Sequence, residues 1–290
     1  MDATPDTSAY ITDFARFLEA SPSSYHAAAE VARRLDAAGF TGLAESAEWP
    51  TGGKHYVIRD GAVVAWSQPA ASGPTTPFRI LGAHTDSPGF KLKPKPTIGS
   101  HGWLQAGVEV YGGPLLNSWL DRELELAGRL VARDGREYLV RTGPFLRIPQ
   151  LAIHLDREQN NGLTLDKQRH TTPVFGVGDA SSADLVEHLA SLAGIGGGEV
   201  AGYDILTADS QSPARFGTDH NLFAAGRMDN LSSVYAGLTA LLGAPDARHI
   251  SVLAAFDHEE LGSESRSGAS GPMLDDILTR IGAGLGASVS

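Results

Sequence analysis

The segment Phe256-Asp257-His258-Glu259-Glu260-Leu261-Gly262-Ser263 places two adjacent carboxylates, Glu259 and Glu260, behind an apolar run. That run, Ile250-Ser251-Val252-Leu253-Ala254-Ala255, reads as a buried strand. Neighbouring carboxylates at a strand's end repel each other and need compensation. A divalent cation supplies it: one carboxylate binds the metal while the other handles the proton of a water that the metal activates. Taken alone, a Glu-Glu pair reads first as a solvated turn. Two further segments carry matching chemistry. Gly82-Ala83-His84-Thr85-Asp86-Ser87-Pro88 follows the strand-like Phe78-Arg79-Ile80-Leu81. Neutral imidazole is a standard zinc ligand, and an Asp two residues on either ligates too or holds the other ring N–H. In Ala225-Gly226-Arg227-Met228-Asp229-Asn230-Leu231, Asp229 stands just before a helical pattern of Leu231, Val234, Tyr235, Leu238, Leu241 and Leu242. A plain N-cap accounts for an Asp there. Open α/β sheets also place their chemistry at such strand-to-helix junctions.

The elements that must position these residues are mixed α and β. Tyr10 to Phe17 and Tyr25 to Ala38 have apolar residues at helical spacing, divided by Pro22. Tyr56-Val57-Ile58-Arg59 and Ala62-Val63-Val64-Ala65-Trp66 flank Asp60-Gly61, a hairpin signal. Gln68 to Pro77 reads as a loop before the strand that ends at His84. From about Gly89 the texture becomes β-rich: Leu104 to Tyr111, Glu125 to Arg133, Glu137 to Arg141 and Ile205 to Asp209 are strand-like. Leu185 to Leu192 is a helical run, and the glycine-rich stretch after it a loop. Lys91-Leu92-Lys93-Pro94-Lys95-Pro96 holds three of the five lysines and reads as a solvated strand edge guarded by Lys and Pro. A basic docking patch is the other reading. Asp275 to Ile281 is an amphipathic helix, and Gly282-Ala283-Gly284-Leu285-Gly286-Ala287 a connection after it.

Composition narrows the function. With 290 residues, 42% hydrophobic and 20% charged, the chain is globular. Its 34 acidic against 23 basic residues give −11, which argues against nucleic acid and anionic membranes as partners. No Cys is present, so any metal must sit on His and carboxylate ligands. No stretch reads as a leader or a membrane span, and the cytoplasm is the expected location. There is no Gly-x-Ser-x-Gly elbow, no Walker loop and no His-Glu-x-x-His.

In this order the motifs Ala83–Pro88, Leu151–Glu158, Arg227–Leu231 and Phe256–Ser265 resemble the aspartyl aminopeptidases, cytosolic dinuclear-zinc exopeptidases. The resemblance runs from about Ile11 to about Ile281. It implies an α/β/α sandwich catalytic domain with a mixed sheet, formed by residues 1–90 and 218–290. A β-rich domain, residues 91–217, is inserted between them, mediates dimer contacts and closes a larger hollow homo-oligomer. The resemblance also implies roles. His84 ligates one zinc and Asp86 orients it. Asp229 bridges two metals, Glu260 ligates, and Glu259 is the general base. His154 looks like the histidine that the inserted domain lends to a neighbouring subunit, with a buried histidine bonded to backbone as the alternative. Two Zn²⁺ per site, or Mn²⁺ or Co²⁺, and peptides with N-terminal Asp or Glu complete the implied chemistry.

The family continues well beyond the position of Ser290, so the expectation is a C-terminally truncated member lacking the last part of the catalytic domain, two further ligands and the closing strands. That leaves an exposed strand edge and predicts poor solubility. Three functions follow: a metallo-aminopeptidase, an inactive paralogue serving as an oligomer scaffold, and a fragment without function.

Overall fold

The computed structural model describes residues 7–244 and 248–287. In chain order the elements are α1 (Thr7–Ala20), α2 (Ser24–Ala37), β1 (Thr41–Gly42), β2 (Gly53–Arg59), β3 (Ala62–Gln68), β4 (Phe78–His84), β5 (Gly89–Ser100), β6 (Trp103–Tyr111), β7 (Glu123–Ala132), β8 (Glu137–Arg141), β9 (Leu146–Arg147) and β10 (Val174–Val177). They continue with α3 (Leu185–Leu192), β11 (Val200–Asp209), β12 (Ala214–Phe216), β13 (Leu222–Ala224), α4 (Met228–Leu242), β14 (Ile250–Phe256), a 3₁₀ turn Glu259–Leu261 and α5 (Met273–Gly284). They form two compact units, Met1–Ser87 with Pro213–Ser290, and Pro88–Ser212.

In the first unit a five-stranded sheet runs β1-β2-β3-β14-β4. It is mixed: β1 with β2 and β14 with β4 are parallel, and the other pairs are antiparallel. The period of two along β3 and β14 divides their side chains between faces. Val63, Ala65, Leu253 and Ala255 pack with Phe17, Leu18, Val31, Leu35, Val234 and Leu238 of α1, α2 and α4. Val64, Trp66, Val252 and Ala254 pack with Met273, Ile277 and Ile281 of α5. Helices thus cover both faces, giving an α/β/α arrangement. α2 is started by Ser23, whose hydroxyl accepts from the backbone N–H of His26. α5 runs on to Gly284, so Gly282-Ala283-Gly284 is its last turn rather than a connection. β4 is one of the two edge strands, and its apolar Ile80 and Leu81 are exposed.

The second unit has a seven-stranded sheet in the order β11-β5-β6-β10-β9-β7-β8, with a further pairing of β11 to β7. Because β11 is bonded to both β5 and β7, the sheet closes on itself, and β8 hangs on β7. Phe90, Leu124, Leu126, Leu130, Ile148 and Ile205 fill its core, joined by Leu185 and Leu189 of α3. β5 has a neighbour on each side, but within the Lys91–Pro96 run only Lys91 pairs with β11, and residues 93–96 have no ladder partner on either side. The run lies where the β5–β6 register shifts between Leu92 and Thr97, and prolines, which lack a donor, are tolerated at such an interruption. Lys91 pairs with Asp204 at 2.8 Å and Lys93 with Glu109 at 3.0 Å, so two of the three lysines are internally compensated. Among the described residues no helix is long and apolar enough to cross a membrane.

Candidate functional site

Parallel pairing of β4 and β14 sets His84 opposite Phe256, so both strands end at the same edge of the sheet. The chain leaving β14 carries Glu259 and Glu260, and α4, packed on one face, brings Asp229 at its start. The His84 imidazole is largely buried. Its Nδ1 lies 3.0 Å from the backbone oxygen of Asp86 and 3.3 Å from Asp86 Oδ1, both acceptors, so Nδ1 carries the proton in the neutral ring. Nε2 then presents its lone pair to Asp229 Oδ1 at 3.3 Å and Glu259 Oε2 at 3.7 Å. Burial pushes the imidazole pKa down, but the hydrogen bonds and charge of Asp86, with the charge of Glu259, outweigh it and hold His84 above its usual value.

Asp86 does more than hold the ring. It is buried, and its Oδ1 accepts from Glu259 N–H at 3.1 Å while Oδ2 accepts from Glu260 N–H at 3.2 Å. The unpaired N–H groups that open a helical turn favour an anion there. One carboxylate therefore orients His84 and fixes the turn bearing both glutamates. Beneath it, buried Asp257 accepts from Gly61 N–H at 3.1 Å and His258 N–H at 2.9 Å. Burial pushes the Asp257 carboxyl up; the charge of His258 opposes this, Asp86 adds to it, and the net shift is upward. The Thr85 hydroxyl lies 2.7 Å from Gly61 O and 3.0 Å from Phe256 O, tying the β2–β3 hairpin to the end of β14.

The structure brings together His84, Asp86, Asp229 and Glu259, with Glu260 next in the same turn and half-buried. Asp229 is not a plain N-cap. Its φ of −83° and ψ of 113° are the extended values an N-cap takes, but its carboxylate faces His84 Nε2 at 3.3 Å, and among the described residues it accepts no capping hydrogen bond. His154 belongs to the other unit. It is exposed, in a turn between the exposed Ile153 and Leu155, so the buried, backbone-bonded alternative does not hold. The supporting residues that the sequence does not single out are Thr85, Ser87, Arg227 and Asp257. Each directly flanks or nearly flanks a residue that it does, and a polar side chain closing a buried apolar run was the available signal.

The donors fit a zinc ion in kind. An imidazole nitrogen and two carboxylate oxygens face one another, an arrangement that needs a cation or a proton between them. They do not close around one: among the described residues no group of three or more His, Cys, Asp or Glu side chains is placed to hold a metal ion. His84, Asp229 and Glu259 are thus the nucleus of a site rather than a full ligand sphere.

Residues 17–289 match the family described as aminopeptidase I zinc metalloprotease (M18). The chain is similar to the M18 family aminopeptidase 2 of Streptomyces avermitilis, 54% identical over 276 residues, covering 92% of this chain and 64% of the relative. Among solved structures it resembles one of the Ape4 and Nbr1 complex, with a TM-score of 0.92 and 30% identity, covering 99% of this chain and 62% of that one. It also resembles the mApe1 dodecamer of S. cerevisiae, with a TM-score of 0.80 and 27% identity, covering 94% and 66%. The chain therefore spans less than two thirds of the length of each protein compared.

Proposed function

The chain belongs to the M18 family of aminopeptidase I zinc metalloproteases, and from that premise we propose that it carries the nucleus of an aminopeptidase site that removes N-terminal, acidic residues from peptides. The observation that carries this reading is His84 Nε2 facing the carboxylates of Asp229 and Glu259. His84 and Glu260 would each hold a zinc ion and Asp229 would bridge two, with Mn²⁺ or Co²⁺ as substitutes. When bound, zinc supplies Lewis acidity toward the scissile carbonyl and lowers the pKa of water.

The chain's own residues do the rest. Glu259 acts as general base: half-exposed at the site, it takes a proton from water and returns it to the leaving amine. Asp86 keeps His84 in one tautomer and fixes the glutamate turn, so that neither carboxylate reorients during the reaction. The unit Pro88–Ser212 serves as an inserted oligomerisation domain, and its exposed His154 reaches a neighbouring copy's site. The dodecameric S. cerevisiae protein supports assembly of this kind. The reading places the protein in the cytoplasm.

A second reading, an inactive oligomer scaffold, draws on the exposed Leu151, Ile153 and Leu155 around His154. Glu259→Gln separates the two. On the enzyme reading, turnover of a peptide with an N-terminal Asp falls about 10²–10⁴-fold while zinc content stays the same. Unchanged turnover removes Glu259 from the role of base. Wild-type protein that assembles but shows no turnover favours the scaffold.

A further inference from the structure

Asp229 stands in a stretch of backbone that is not helical, at the mouth of α4, and its carboxylate is 83% exposed. Neither packing nor a capping hydrogen bond explains why it faces His84. Three hydrogen bonds in its neighbourhood do. The Ser87 hydroxyl donates to the backbone oxygen of Asp229 at 2.9 Å. Ser87 lies three residues beyond His84 in the loop leaving β4, so this bond ties the backbone of one site segment directly to the other. From the opposite side, the guanidinium of Arg227 donates through Nε to Ser21 O at 3.0 Å and through Nη2 to Leu18 O at 3.3 Å. Leu18 is in the last turn of α1 and Ser21 directly follows the helix; Leu18 O also accepts from Ser21 N–H at 3.1 Å, and the negative end of the helix dipole makes this a favourable seat for a cation. Arg227 itself adopts the left-handed conformation, φ 60° and ψ 22°, so its side chain anchors the turn that projects Asp229.

We propose that Ser87 and Arg227 are positioning residues that clamp the Asp229 turn and set the separation between its carboxylate and His84. The proposal rests on the reading of His84 and Asp229 as zinc ligands for its functional consequence, and on hydrogen bonding alone for its structural one. Ser87 fixes the distance along the sheet edge, and Arg227 fixes the direction from which the turn arrives. Groups that orient metal ligands without touching the metal commonly alter affinity by about 10–100-fold when removed. Lys at position 227 keeps the charge but loses the forked geometry that reaches two carbonyls.

The test uses the full chain with Ser87→Ala, Ser87→Thr, Arg227→Met and Arg227→Lys, zinc chloride as the only ligand, and backbone hydrogen exchange on the zinc-free protein. Ser87→Ala is expected to weaken zinc binding about tenfold and Ser87→Thr to restore it. Arg227→Met is expected to weaken it more, with Arg227→Lys only partly restoring it. In the zinc-free protein, Ser87→Ala should speed amide exchange across residues 229–232 without changing the β2–β3 hairpin. If Arg227→Met fails to fold, the Ser87 pair still decides. Exchange at residues 229–232 that matches wild type in Ser87→Ala overturns the clamp whatever the zinc result. If wild type binds no zinc while exchange responds as expected, the metal reading fails and the clamp stands.

Discussion

In the unit Pro88–Ser212, β11 is bonded to both β5 and β7, whereas in the other unit the sheet runs from β1 to β4 and ends there. The two differ in their acids as well. In the closed sheet Asp204 pairs with Lys91, Glu109 with Lys93, Asp209 with Arg122 and the buried Glu125 with Arg141. At the edge of the open sheet, Asp229 and Glu259 face only His84; among the described residues neither pairs with Lys or Arg. Acids compensated by side chains are what a structural unit needs. Acids left facing an imidazole are what a cation site needs, and that contrast locates the chemistry in the open unit.

The largest effect on stability comes from testing how each unit is held together. Gly128, where β7 meets β11, has no room for a Cβ, which would fall against the Asp204 carbonyl oxygen and 2.9 Å from Ile205 Cα. Both are backbone, so the closure itself must open, and Gly128→Ala should cost about 3 kcal/mol. Gly61 is crowded by side chains instead: a Cβ there would strike Asp257 Oδ2 and Ser24 Oγ and lie 2.6 Å from Ser24 Cβ. Gly61→Ala should cost about 1–2 kcal/mol. Hydrogen exchange should place the first loss in β7 and β11 and the second in the β2–β3 hairpin and the segment after β14. Equal costs, or losses in the wrong unit, would break the comparison.

A smaller effect sharpens it with pH. The first unit also contains acids compensated by arginine, among them Glu30, Asp13, Glu45 and Asp60. Glu30 accepts from Arg33 and Arg34, and Arg34 also donates to Asp13. Burial pushes Glu30 up, but the two arginines outweigh it and hold it below its usual range; Asp13 is lowered chiefly by its hydrogen bond from Arg34. Both groups bind fewer protons folded than unfolded. Their stabilisation is therefore complete above the ordinary carboxylate range, about pH 4, and is lost as pH falls through the lowered values. Glu30→Gln should cost about 2 kcal/mol near pH 7, and the gap to wild type should shrink below pH 4. A gap independent of pH would contradict the assignment. The smallest effect is at the open edge. Leu81 of β4 is 51% exposed, and Leu81→Lys should raise the soluble concentration while changing stability by no more than about 0.5 kcal/mol, measured by light scattering and melting.

Much of this was legible along the chain because strands and helices announce themselves by period. Glu137 to Arg141 and Leu185 to Leu192 read directly as β8 and α3. His84, Asp229 and the Glu259–Glu260 pair stand out as acids and an imidazole at the ends of apolar runs. The double acceptance by Asp86 does not, because it depends on β4 and β14 being parallel neighbours across 173 residues of sequence. Asp60-Gly61 reads as a turn, and Asp60 does take a positive φ of 58°, but Gly61 is required by the close approach of Ser24 and Asp257. Lys91–Pro96 is ambiguous for a related reason: a run of Lys and Pro looks the same at an open edge and at a register break within a sheet, and only the strand pairing distinguishes them.

The most direct test of the central claim is zinc binding by calorimetry on wild type and His84→Ala, with circular dichroism to confirm that both are folded. The account predicts that wild type binds zinc and that His84→Ala loses at least one bound ion. Zinc binding of equal stoichiometry and affinity in the two proteins would contradict it.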